Sequence, residues 1–191
     1  MYFVMEGLKK FDFLTQKECD TIVREILSLE SAVKRLGPDI YPGTSEDSLT
    51  GRYQYFNYLN IRSIKNIICP KLKELFGPCV VQCWANILRQ GEGIDEHKHL
   101  TDMTPRLQRD CTIGNIFLYG DRTIGTYYEG VKHDNKIGEL SLFPASLLHG
   151  VPKNTTGDMR ISMAIDVHHI RNEKYLDALV SQMPKRYVYI R

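Results

Sequence analysis

Two histidines stand one residue apart in the segment GEGIDEHKHL, which spans residues 91–100. Because alternate residues of an extended chain face the same side, His97 and His99 can approach one ion together while Lys98 faces away. A third histidine, His149, follows 52 residues after His97, just beyond a proline-containing turn. Imidazole is a common ligand of iron and other transition metals. The spacing therefore predicts a metal site built from these three histidines.

An Arg-x-Ser unit follows the third histidine. Arg160 and Ser162 are two residues apart in the strand-like run RISMAIDV, so their side chains share one face. A guanidinium binds a carboxylate through two parallel hydrogen bonds, and a serine hydroxyl beside it can add another. Three protein ligands on one face of Fe(II) leave three positions open, two for a 2-oxoglutarate chelate and one for O2. The order of these groups fits an iron(II) and 2-oxoglutarate site.

Three motifs resemble those of the iron(II)/2-oxoglutarate-dependent oxygenases, and within them the prolyl 4-hydroxylase-like group. QGEGIDEHKH is similar to the glycine-containing loop that leads into the group's His-x-Asp pair, with Gly91 and His97 in register. TIGNIFLYGDRTIGTYY resembles the group's next strand pair, with Tyr119 and Thr126 at matching positions. GELSLFPASLLHGV resembles the strand that carries the distal histidine. The chain is thus identified as similar to this group over residues 82–167.

The resemblance implies a double-stranded β-helix, which is a jelly-roll or cupin-like barrel, with Fe(II) at its mouth. It also implies that His97 and His149 are iron ligands and that Arg160 binds the far carboxylate of the cosubstrate 2-oxoglutarate. The other implied cosubstrate contacts are Ser162, Tyr119 and Asn115, with Asn86 as a further candidate behind the ligands.

The chain departs from the group's pattern at His99, where the group carries Asp or Glu. A neutral imidazole brings no negative charge to the iron, so the electronic properties of the site would differ. Three alternatives stay open. His99 itself ligates the iron, giving three histidine ligands, or Asp102 or Asp95 supplies the carboxylate, or two ligands and water complete an altered or inactive site.

The remaining chain predicts the elements that position these groups. Thr15 and Glu18 form a capping box before an amphipathic helix in LTQKECDTIVREILSLESAVKRLG. A second helix is predicted in SIKNIICPKLKELFGP, kinked or restarted at Pro70, and a third in NEKYLDALVSQMP. Six β-type runs lie between the last two helices, at residues 79–90, 111–120, 124–130, 137–144, 147–152 and 160–167.

These elements predict a mainly β protein with flanking α-helices. Residues 1–191 are expected to form a single oxygenase domain: a helical N-terminal part over 1–78, a β-barrel core over 79–170, and a C-terminal helix and tail over 171–191. The basic end KRYVYIR is predicted to be solvated.

Composition narrows the function classes. A net charge of +2 is too small to predict binding to nucleic acid. Five cysteines without CxxC spacing argue against a disulfide framework and a zinc knuckle, and favour a reducing, intracellular setting for the protein. No apolar window reaches the roughly 20 residues of a membrane span, so the expected location is cytoplasmic.

The predicted function is an Fe(II)- and 2-oxoglutarate-dependent dioxygenase that hydroxylates an amino-acid or peptide side chain, or a small metabolite, and releases succinate and CO2. Two other interpretations stay open. A cupin-like metalloenzyme could use three histidines without 2-oxoglutarate, and a jelly-roll binding module could use the barrel mouth without catalysis. The sequence does not choose the substrate.

Overall fold

The computed structural model describes residues 7–37, 49–99, 111–169 and 185–191, and these contain two α-helices and ten β-strands. The helices are α1 (Gln16–Lys34) and α2 (Arg62–Phe76), and two short 3-10 turns cover Thr50–Gln54 and Tyr58–Asn60. The strands are β1 (Lys9–Asp12), β2 (Cys79–Leu88), β3 (Ile94–His97), β4 (Cys111–Tyr119), β5 (Thr126–Tyr128), β6 (Val131–His133), β7 (Glu139–Pro144), β8 (His149–Val151), β9 (Arg160–His169) and β10 (Val188–Ile190).

The strands form two antiparallel sheets that face each other. The larger sheet has the order β1-β7-β4-β9-β2-β10, and the smaller has the order β3-β8-β5-β6. Arg160 on β9 donates hydrogen bonds to the hydroxyl of Thr126, the first residue of β5, and to the carbonyl of Ile124, which precedes β5. His99, just after β3, contacts Asp166 on β9. Polar side chains of both sheets therefore meet in the space between them.

The two helices cover the other face of the larger sheet. α1 begins at the predicted capping box, in which the Thr15 hydroxyl accepts from the Glu18 amide and the Glu18 carboxylate accepts from the Thr15 amide. α2 runs without interruption through Pro70, so the predicted restart at this residue is wrong. Apolar residues of the helices share a core with alternate residues of the larger sheet. The helix residues are Ile22, Ile26, Ile64, Ile68 and Leu72, and the sheet residues include Ile116, Ile161, Met163 and Ile165.

Strand β9 shows how the alternation divides the two environments. Its odd-numbered residues, such as Ile161 and Ile165, pack into the apolar core under the helices. Its even-numbered residues lie on the opposite face and include four buried polar side chains, Arg160, Ser162, Asp166 and His168. The period of two in RISMAIDVHH therefore separates the core from a polar interior within one strand.

All six predicted strands are confirmed, and four short strands were not predicted. One of them corrects the prediction of a solvated C-terminal tail: β10 pairs with β2, and Val188 and Ile190 are buried. The predicted C-terminal helix lies outside the described residues. Among the described residues, no helix has the length and apolar character needed to span a membrane.

Candidate metal centre and cosubstrate site

Three imidazoles converge where β3 and β8 pair. His97 ends β3, and its Cα lies opposite that of His149 at the start of β8. The ring centroids of these two histidines are 4.3 Å apart, and the ring of His99 is 5.2 Å from the first and 5.1 Å from the second. One ring nitrogen of each histidine lies within 4.8 Å of the corresponding atoms of the other two. In the described part of the chain, this is the one cluster of histidine, cysteine or acidic groups close enough to share an ion.

Each imidazole is oriented by an acceptor at Nδ1. His97 contacts the carbonyl oxygen of Asp95 at 2.9 Å, and His149 contacts that of Leu147 at 3.0 Å. His99 contacts Oδ1 of Asp166 at 3.0 Å. Because a carbonyl or carboxylate oxygen only accepts, these contacts favour the tautomer with the proton on Nδ1 and the lone pair on Nε2. The three rings thus present the nitrogen that a metal requires.

Burial keeps two of these imidazoles neutral. Desolvation, with a smaller contribution from the neighbouring histidines, lowers the pKa of His97 to about 4 and that of His149 to about 3. Neutral imidazole is the form that binds a metal. Both rings are therefore ready to ligate well below pH 7.

The metal-free protein should lose stability as the pH falls below 6.5. Both pKa values are depressed in the folded state, so between pH 6.5 and about 4 the unfolded chain takes up protons that the folded chain does not. The free energy of unfolding should fall by up to about 1.4 kcal/mol per pH unit for each histidine. Urea denaturation at pH 7, 6 and 5 measures this, and His149→Asn should flatten the dependence. An equally steep curve in that variant would contradict the assignment.

Apolar and aromatic groups hold the rings in place. Trp84 is 7% exposed and stacks on His99 with ring centroids 5.9 Å apart and planes inclined by 29°. The ring of Phe143 lies 4.6 Å from that of His149. A Cβ on Gly150 would lie 2.9 Å from the carbonyl oxygen of Ile94, so glycine lets β8 approach β3 closely enough to bring the histidines together.

Arg160 is a buried cation without an acidic partner. It is 1% exposed, and its guanidinium donates to the Ile124 carbonyl and to the hydroxyls of Thr126 and Ser162, each at 3.2 Å. No carboxylate within the described ranges pairs with it, because Asp158 is exposed and Asp166 binds His99. Burial lowers the pKa of Arg160 to about 10, so the side chain stays charged at neutral pH. Two of its five N–H groups take no part in these bonds.

A buried guanidinium surrounded by neutral acceptors is expensive in free energy unless an anion joins it. Asn86 adds a second indication, because its Oδ1 has no hydrogen-bond partner in the described part of the chain although the residue is only 4% exposed. Asn86 lies directly opposite Ser162 in the β2–β9 pair, so the two side chains are neighbours. The surroundings of Arg160 therefore fit a polar ligand that carries a carboxylate.

The remaining predicted cosubstrate contacts differ in their placement. Asn115 lies opposite Ala164 in the β4–β9 pair, on the face that carries Arg160 and Ser162. Tyr119 lies beyond a bulge in this pair and is 44% exposed, and its phenol makes no hydrogen bond to Arg160. The ring of Phe117 lies over the guanidinium instead, at 5.5 Å. The bulge, which the sequence does not reveal, changes which aromatic side chain reaches Arg160.

The structure also bears on the open question at His99. His99 joins the cluster, whereas the exposed Asp95 does not, and Asp102 lies outside the described residues. Sequence reasoning missed two residues that contact the predicted site. Thr126 supports Arg160, and Asp166 binds His99. The alternation along β9 indicates that Asp166 faces the interior, but only the folded chain brings it to a histidine 67 residues away.

No protein-family model matches the sequence, and no curated protein matches it. Solved structures do resemble the fold. The non-heme monooxygenase ThoJ in its apo form is 14% identical with a TM-score of 0.64, covering 94% of this chain and 92% of that chain. The epimerase SnoN in complex with Fe3+, alpha ketoglutarate and nogalamycin RO is 10% identical with a TM-score of 0.62, covering 85% and 79%. A prolyl-4-hydroxylase from Pseudomonas putida is 16% identical with a TM-score of 0.52, covering 86% and 88%.

These likenesses establish the fold. The chain has the double-stranded β-helix architecture that these non-heme oxygenases and alpha ketoglutarate-dependent enzymes share, which confirms the fold class predicted from the sequence. The resemblance to the prolyl 4-hydroxylase-like group is likewise confirmed at the level of the fold. Within the described residues the two sheets remain separate and do not close into one continuous barrel.

Proposed function

We propose that the protein is an Fe(II)- and 2-oxoglutarate-dependent oxygenase. The observation that carries the proposal is the pairing of two features between the same two sheets: three converging imidazoles, and the buried Arg160 guanidinium, which has no acidic partner among the described residues. The first fits a transition metal, and the second fits the distal carboxylate of a dicarboxylate ligand. Structures of similar fold are described as alpha ketoglutarate-dependent, and one of them holds Fe3+ and alpha ketoglutarate.

His97, His99 and His149 would hold the iron through Nε2, while their Nδ1 contacts fix the ring planes. Arg160, Ser162 and Asn86 would orient the cosubstrate, with Asn115 on the same face. Fe(II) with 2-oxoglutarate supplies the oxidising chemistry, in which O2 is consumed and succinate and CO2 are released. The protein itself positions the reacting groups and excludes water.

The proposed reaction is hydroxylation of an amino-acid or peptide side chain or of a small metabolite. The similar structures include a hydroxylase, an epimerase and a carbocyclase, so the fold supports several outcomes of one oxidising centre. The alternative of a three-histidine metalloenzyme that does not use 2-oxoglutarate leaves Arg160 buried without a role. A binding module without metal leaves the convergence of three imidazoles unexplained.

Anaerobic titration tests the proposal. Fe(II) should bind the purified protein at one equivalent, and 2-oxoglutarate should then produce a visible metal-to-cosubstrate charge-transfer band. Admission of O2 should convert 2-oxoglutarate to succinate, faster in the presence of a substrate from a panel of peptides and free amino acids. Iron binding without a band would instead support the metalloenzyme that does not use 2-oxoglutarate, and no iron binding would support the binding module.

A further inference from the structure

Asp166 is a buried carboxylate whose side chain, among the described residues, contacts the predicted metal ligand His99. The residue is 6% exposed, and the side chains of Asp166 and His99 are 9% and 10% exposed. Its Oδ1 lies 3.0 Å from Nδ1 of His99. In the described ranges no lysine or arginine forms an ion pair with it, and its cross-strand neighbour on β2 is the neutral Gln82. A carboxylate is rarely buried in this way without a cation to compensate it.

The three imidazoles are not equivalent in what supports them. Backbone carbonyls accept from His97 and His149, whereas the Asp166 carboxylate accepts from His99. Trp84 stacks on the ring of His99 from a neighbouring strand, so that ring is held both by its face and by its Nδ1 edge. A carboxylate bound to the far nitrogen of a metal-bound imidazole fixes the ring and makes it a stronger donor.

The charge of the three-histidine cluster also points to a role for Asp166 at the metal site. Three imidazole ligands bring no negative charge to a divalent ion, and the exposed Asp95 lies outside the cluster. In the described part of the chain, Asp166 is the carboxylate in direct contact with a cluster histidine. A bound dication would be the missing compensation for this buried anion, and the attraction would be transmitted through the imidazole.

We propose that Asp166 is a positioning residue that holds His99 for the metal and supplies, through that imidazole, the negative charge that the three-histidine ligand set lacks. This rests on the metal-binding half of the proposed function and is independent of 2-oxoglutarate. It assigns to the Asp166–His99 pair the part that a directly bound carboxylate would otherwise play.

The experiment is a double-mutant cycle measured by Co(II) binding to the full-length, metal-free protein. Asp166→Asn keeps the size and an acceptor oxygen but removes the charge, and it should lower Co(II) affinity by roughly 10–100-fold. Its effect should shrink to less than about 3-fold in a His99→Asp background, because the carboxylate then binds the ion directly and no imidazole remains for Asp166 to support. Asp158→Asn, which removes an exposed negative charge two residues before Arg160, is the matched control and should leave the affinity within about 2-fold.

The Co(II) absorption spectrum provides a readout that a purely structural role does not change. Asp166→Asn should shift the ligand-field bands of the wild-type complex, whereas Asp158→Asn should not. An equal loss of affinity from Asp166→Asn in both backgrounds would show that Asp166 only maintains the fold, and would overturn the inference. Unchanged affinity and spectrum in Asp166→Asn would overturn it as well. Wild-type protein that binds no Co(II) would overturn the proposed function instead.

Discussion

Replacing His149 by alanine should lower the affinity for Fe(II) or Co(II) by more than about 100-fold and abolish succinate formation. The ring of His149 closes the cluster, because its centroid lies 4.3 Å from that of His97 and 5.1 Å from that of His99. Its removal takes away a proposed direct ligand, so the loss should exceed the 10–100-fold typical of groups that only support a ligand. Anaerobic metal titration measures the affinity, and the 2-oxoglutarate charge-transfer band should disappear with it.

His133 offers a matched control on the same sheet. Its ring contacts the ring of Tyr128, as that of His149 does, but it lies outside the metal cluster. His133→Ala should therefore leave metal affinity within about 2-fold. Because His149 is buried, far-UV circular dichroism should first show that His149→Ala is folded. Equal metal affinity in folded His149→Ala and wild type would exclude His149 from the ligand set.

The larger part of the fold could be predicted because buried residues recur at regular spacing along helices and strands. RISMAIDV alternates between residues that pack under the helices and residues that face the site, and this pattern places β9 within two residues of its observed end. The four unpredicted strands β1, β3, β6 and β10 have three or four residues each, too few for a period to be recognised, whereas the equally short β5 and β8 lie inside longer β-type runs. The prediction of a solvated C-terminal tail was wrong because β10 is short and lies among basic residues, although Val188 and Ile190 are buried.

The site was predictable where spacing along one strand decides which side chains share a face. His97, His99, Arg160 and Ser162 lie in such pairs, and the structure brings each pair to the interior. Tyr119 follows a bulge that shifts the register after Phe117, and nothing in the local sequence requires a bulge there, so its contact with the cosubstrate stays a prediction. Contacts between distant strands, such as that of Asp166 with His99, depend on how the two sheets face each other, which no local pattern records.

Arg160→Gln should weaken 2-oxoglutarate binding by roughly 100-fold or more while leaving Fe(II) affinity within about 3-fold. Three of the five N–H groups of the guanidinium donate to Ile124, Thr126 and Ser162, and the other two take no part in these bonds. A bidentate, charge-assisted pair with a carboxylate is worth several kcal/mol in a buried site. Glutamine is neutral and offers only two donors. Titration of the charge-transfer band with 2-oxoglutarate measures this affinity in both proteins.

Arg160→Lys separates charge from geometry. Lysine keeps the positive charge but binds a carboxylate as a point charge, so its 2-oxoglutarate affinity should fall between those of the wild type and Arg160→Gln. Thermal denaturation gives an independent check, because 2-oxoglutarate at 100 times its dissociation constant should stabilise the iron-loaded wild type by about 2.7 kcal/mol. The same concentration should hardly stabilise Arg160→Gln. If 2-oxoglutarate bound the folded glutamine variant as tightly as the wild type, the anion that compensates Arg160 would have to be something other than this cosubstrate.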